Sequence, residues 1–186
     1  MLTALLLTLA GSQVATSPDC GYDRYAMPSL DRTAFDQSPV GWRSIGEVEG
    51  CEIVAADLIR DYRYERRDNT SILYWHEGQL RAFGGQTNEA IDLLMLAYKP
   101  PEWDADFGFN HYASGTIAFL LRDRDWLRAS IENLKAVPRP EGEIEGSWPP
   151  NLPVLEAMER CWNQTYRKAY KSASCYAPQA SSSTSQ

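Results

Sequence analysis

The sequence predicts an all-α protein, and three observations predict it. Apolar residues recur at helical spacing through six segments between Cys51 and Tyr170. Helix start and stop signals stand between those segments, among them Gly84-Gly85, Pro100-Pro101 and Asp123. No segment alternates apolar and polar residues with the period of two that a strand requires.

The elements follow in order. Residues 16–47 carry Pro, Gly, Asp and Ser at short intervals without a sustained period, which predicts an irregular segment tied down by Cys20. The helical domain is expected over 48–176. From Cys51, Val54, Leu58 and Tyr62 stand at i, i+4 and i+8. Arg66-Arg67-Asp68-Asn69 ends that helix and offers an N-cap for the next. A second helix is expected over 70–83 with Ile72, Trp75, Gln79 and Phe83 on one stripe. Gly84-Gly85 stops it, because glycine reaches the left-handed conformation at low cost.

Thr87 is expected to cap the third helix, whose buried face reads as Ile91, Leu94, Met95 and Tyr98. Pro100-Pro101 ends it. The fourth spans about 106–121, with an aspartate near its N-terminus where a carboxylate is favoured. The fifth follows Asp123 and carries Leu127, Ile131 and Leu134. The sixth is expected as one helix over about 154–170. Between the last two lies an acidic proline-rich stretch, Pro138 to Pro150, with Glu141, Glu143, Glu145 and Trp148, read as a solvated connector. The tail, 177–186, is Ser-rich and expected to be disordered.

Charge and cysteine usage restrict the function classes. Eighteen Lys and Arg against 25 Asp and Glu give a net charge of −7, which argues against a nucleic-acid partner because phosphate binding needs a basic face. The first residues, MLTALLLTLAGSQVATS, form an apolar run too short to span a bilayer but suited to a secretory signal, expected over 1–15. No Lys or Arg precedes the run, and cuts after Ser12 or Ala15 both fit in part. Leu9-Ala10-Gly11-Ser12 resembles a lipobox with serine in place of the lipidated cysteine. The expectation is an exported chain, periplasmic or secreted, with no stable membrane insertion after processing. Cys20, Cys51, Cys161 and Cys175 contain no C-x-x-C pair, so they read as disulfide partners and not as zinc ligands. Four thiols allow three pairings. Cys20 with Cys51 and Cys161 with Cys175 is favoured, since each closes a local loop.

Trp75-x-x-Gly78 is matched by Tyr112-x-x-Gly115, 37 positions on. In the same register Ala90 meets Leu127, Leu94 meets Ile131 and Ala97 meets Leu134. A helix pair repeated at such a period is a solenoid signature. On these residues, the stretch 71–138 resembles the tetratricopeptide repeat family. Tyr74 stands at the opening aromatic position, Gly78 at the close helix crossing, Gly85 in the turn, Ala90, Leu94 and Ala97 on the second-helix face, and Pro101 near the closing proline. Glu77, Arg81 and Leu127 depart from the pattern, replacing leucine, an aromatic residue and alanine. The resemblance implies stacked antiparallel helical hairpins with a concave groove that holds a peptide or protein segment, here through Tyr74, His76, Glu77, Arg81 and His111.

Catalytic and metal motifs find little support. His76-Glu77 begins H-E-x-x-H, but Leu80 stands where the second histidine must be. His76, His111 and Glu77 would make a metal set if the fold joined them; a polar groove surface is the simpler reading. Asp104-Ala105-Asp106-Phe107-Gly108 resembles a kinase triplet and a calcium loop, yet lacks the companion residues of both. No G-x-S-x-G nucleophile elbow occurs. The function expected is an exported protein-binding module without a cofactor, in one form an immunity-type protein that neutralises a secreted effector. An envelope assembly factor and a carboxylate-dependent hydrolase of envelope polymers are the alternatives.

Overall fold

The computed structural model describes residues 18–142 and 146–177. The expected signal segment, the Ser-rich tail beyond Ala177, and Glu143 and Glu145 of the acidic stretch lie outside the described residues.

Twelve helices and no strand occur among the described residues. They are α1 (Ala26–Ser29), α2 (Arg32–Gln37), α3 (Arg43–Gly46), α4 (Glu52–Arg66), α5 (Ser71–Phe83), α6 (Thr87–Leu96), α7 (Pro101–Asp104), α8 (Phe109–Leu121), α9 (Arg124–Lys135), α10 (Leu152–Arg160), α11 (Tyr166–Lys171) and α12 (Ala173–Tyr176). None is long and apolar enough to cross a membrane. Helices joined by short turns pack against each other: α4 on α5, α5 on α6, and α8 on α9. Helix α10 then packs on α8 and α9, and α11 returns to α5.

Helix α5 lies between two cores because its apolar residues face two ways. Leu73 and Leu80 join Phe35, Trp42, Ile45, Leu58, Ile59 and Tyr62 in one cluster. Trp75 and Ala82 join residues of α6, α8, α9, α10 and α11 in the other. Gly78 permits the close approach of α6: a Cβ there would stand 3.0 Å from Leu94 Cδ2 and 3.2 Å from the Ala90 carbonyl oxygen. Gly85 turns the chain with φ +84°, a conformation that costs a residue with a side chain about 1 kcal/mol or more.

The segment expected to be irregular contains three short helices packed on α4. Asp31 accepts from the Ala34 amide at 2.9 Å and starts α2. The Phe35 and Tyr62 rings stack with centroids 3.8 Å apart. The Tyr62 hydroxyl donates to the Leu30 carbonyl, and the Arg66 guanidinium donates twice to the Pro28 carbonyl. Helices this short have no apolar period to read; tertiary contacts hold them. Cys20 is bonded to Cys51 and Cys161 to Cys175, with Cα atoms 5.4 and 5.6 Å apart. These are the two favoured pairs, and two disulfides suit an oxidising, exported environment.

Other expectations need correction. Met95 and Tyr98 are exposed, while Ala90, Leu94 and Ala97 are fully buried. Small residues carry the contact there because the helices lie close. Gln86, not Thr87, is the N-cap of α6, and no side chain caps it. Helix α8 begins at Phe109 and not at about 106, and the aspartate at its N-terminus is Asp104, which accepts from the Phe109 and Asn110 amides at 2.8 Å each. The expected sixth helix is broken. Helix α10 stops at Arg160, and the Thr165 hydroxyl accepts from the Lys168 amide to start α11 afresh. The apolar period runs through this break and conceals it.

Candidate binding cleft

Helices α5 and α8 place Trp75 beside Tyr112, with ring centroids 4.8 Å apart, and Phe109 meets the edge of Trp75 at 5.0 Å. These rings lie at one side of a cleft of about 480 Å³. Arg43 reaches it from α3, Lys99 and Phe107 from the connections flanking α7, and Tyr170 from α11. The backbone of Lys99 is clamped to α8. Its amide donates to Asn110 Oδ1 at 2.9 Å, and Asn110 Nδ2 donates to its carbonyl at 2.8 Å. His76 and Gln79, one turn apart on α5, line both this cleft and a smaller hollow of about 170 Å³ that also takes in Trp42, Glu47 and Lys171.

His76 is fixed from behind. Its Nδ1 lies 2.6 Å from Oδ1 of Asp36, a carboxylate only 1% exposed. The Trp42 indole donates to the same oxygen at 2.9 Å, and the Gln37 amide donates to the other. Burial alone would raise the Asp36 pKa, but the hydrogen bonds from His76, Trp42 and Gln37 and the charge on His76 outweigh it and hold it below the ordinary carboxylate value. An ionised Asp36 keeps the Nδ1 proton in place and leaves Nε2 as the ring nitrogen available to a ligand.

The cleft is positive in an acidic chain. No carboxylate lines the larger cavity, and Glu47 alone lines the smaller. The Arg43 guanidinium lies 4.3 Å from the Trp42 ring centroid, and its Nε donates to the Asp36 carbonyl. The Lys99 ammonium lies 4.6 Å from the Phe109 centroid and 5.3 Å from that of Phe107. The ion pairs among the described residues engage neither cation. Burial first, and then neighbouring phenols, push the Tyr112 and Tyr166 hydroxyls well above their usual pKa, so both stay protonated.

Of the five residues expected to form a groove, only His76 lines this cleft. Glu77 and Arg81 are 2% and 7% exposed and lie on the opposite face of α5. Glu77 accepts from Arg63 of α4 through Oε2, at 3.0 and 2.7 Å, and from Arg81 through Oε1, at 3.2 and 3.1 Å. Arg81 continues to Asp57 and Gln86 at 3.0 and 2.6 Å. Tyr74 lies under the Arg63 guanidinium, 4.1 Å from centroid to Cζ, and donates to Asn69. His111 borders a separate hollow of about 190 Å³ beside Asp104 and Val137. The conceivable metal set of His76, His111 and Glu77 is not assembled. Among the described residues no three His, Cys, Asp or Glu side chains converge as metal ligands.

Sequence reasoning passed over Arg43, Lys99, Phe107 and Tyr170, which come from separate segments. Trp75 and Tyr112 carried the one usable signal, their matched repeat positions. Comparison with protein-family models, with curated proteins and with solved structures returns no match.

Proposed function

We propose that the chain is an exported binding module of tetratricopeptide-like construction, which holds a segment of another protein in the cleft between α5 and α8. The cleft itself carries this reading. Its volume falls in the range of about 300–1,000 Å³ usual for ligand sites, and its rings and immobilised His76 are pre-organised before anything enters. Fixed groups of this kind lower the ordering cost of association.

The repeat reading draws support from α5 and α6, where Gly78 meets Ala90 and Leu94 and where Ala97 is buried. The second copy differs: the atoms nearest a Cβ on Gly115 are those of Leu155 in α10. The stacking therefore departs from a regular repeat after α8. An immunity-type protein is the narrower form of the proposal. It rests on a small, acidic chain with an export-like start, and the partner's identity separates it from an envelope assembly factor. The hydrolase reading would need paired carboxylates, and the larger cavity is lined by none.

The test is affinity capture from the native envelope extract, with the oxidised chain as bait and mass spectrometry as readout. A stoichiometric partner should be lost with Lys99→Glu and retained with Arg128→Glu, whose site is remote from the cleft. A partner indifferent to Lys99→Glu, or no partner at all, overturns the proposal.

A further inference from the structure

We infer that the cleft selects an acidic segment, a peptide stretch whose carboxylate enters between Lys99, Arg43 and His76 while a neighbouring apolar side chain rests on the aromatic wall. The inference rests on the binding role proposed above and names the chemistry of the occupant.

Charge complementarity argues for it. In a chain with seven more acids than bases, the larger cavity collects two cations and a histidine and no carboxylate. Several cations away from the cleft sit on carboxylates: Arg124 and Arg128 share Glu159, and Lys135 holds Glu132. Arg43 and Lys99 are held instead by rings and a backbone carbonyl. A guanidinium and an ammonium partly stripped of water bind a carboxylate more strongly than they would in bulk solvent. The oriented imidazole adds a donor at Nε2 when protonated.

The surroundings favour a protein segment over a small anion. Phe107 lines the cavity and is 42% exposed, and Trp103 of the preceding helix is 76% exposed. Phe107 thus carries an aromatic surface from the cavity out to solvent, and exposed aromatic residues are typical of protein interfaces. The net charge of −7 opposes a polyanion such as nucleic acid, which must meet far more of the surface than one carboxylate does.

The experiment pans a phage-displayed library of random octapeptides against the full oxidised chain and against Lys99→Glu. It then measures Kd for the enriched peptide and for its Asp→Asn, Glu→Gln counterpart at low and high salt. The expected result is enrichment of peptides pairing an acidic with an aromatic residue. Their affinity should fall about tenfold or more in the amide counterpart and in Lys99→Glu, and weaken with salt. Arg43→Glu provides a second variant if Lys99→Glu fails to fold by circular dichroism. Enriched peptides without an acidic residue, lost on the cleft variants, overturn the inference and leave the binding role standing. No enrichment, or enrichment indifferent to both variants, overturns the two together.

Discussion

Glu77 and Arg63 meet across the α4–α5 interface. One carboxylate oxygen accepts two guanidinium N–H groups at 3.0 and 2.7 Å, and both side chains are almost wholly buried. The other oxygen takes Arg81 from the next turn of the same helix. The two positions of α5 that depart from the repeat pattern are therefore each other's partners, completed by an arginine of the preceding helix.

A buried carboxylate shared by two guanidinium groups is costly to remove. Glu77→Ala leaves two cations without their counter-ion, and loss of one partner of a buried pair costs about 3–5 kcal/mol. Urea unfolding should show a loss of that order. Arg32→Ala, which removes a single long contact to Asp68 at a half-exposed site, should change stability by less than about 1 kcal/mol.

The Asp36–His76 contact predicts an acid limb. The folded pKa of Asp36 lies below its ordinary 3.8. Its stabilising contribution is fully present above the unfolded value and is lost as pH falls through the lower folded value. Burial alone would raise Glu52, but Arg167 and backbone donors outweigh it and hold it below its ordinary 4.5, so it acts with the same sign. Melting temperatures followed from about pH 7 to about pH 2 should fall more steeply for the wild type than for Asp36→Asn. The difference between the two proteins should narrow below pH 4 or thereabouts. Parallel curves would contradict this account.

The disulfides close loops of different length, with sequence separations of 14 and 31 residues. Constraint of the unfolded chain predicts a loss of about 3 kcal/mol when the shorter is opened and somewhat more for the longer. Paired Cys→Ser variants measured by denaturant unfolding should follow that order. Proteolytic mapping of the unreduced chain should recover Cys20 linked to Cys51 and Cys161 linked to Cys175.

Gly78 tests the close helix crossing. Alanine there gains up to about 1 kcal/mol of helix propensity but meets Leu94 and the Ala90 carbonyl at 3.0–3.2 Å, and overpacking costs about 1–3 kcal/mol. Gly78→Ala should be net destabilising, and Leu94→Ala should cost less in its presence than alone. Additive losses in a double-mutant cycle would place the crossing elsewhere.

The sequence by itself determined the all-helical class, the bounds of α4 and α5 to within a residue or two, the start of α9 after Asp123, and the turn at Gly84-Gly85. Those features are local: propensity, capping and apolar spacing act within a few residues, so the chain carries them openly. It also favoured the disulfide pairs found, through loop length. Only the tertiary structure decided the face of α5 on which function is sought. Positions 72, 76 and 79 and positions 74, 77 and 81 both carry polar and apolar residues at helical spacing, so periodicity could not rank the two faces. Packing did: Arg63 of α4 drew Glu77 and Arg81 inward, and Asp36 of α2 held His76 at the cleft. Arg43, Lys99 and Tyr170 belong to segments far apart in the chain, and only the packing of α3, α11 and the α6–α8 connection around α5 makes them neighbours.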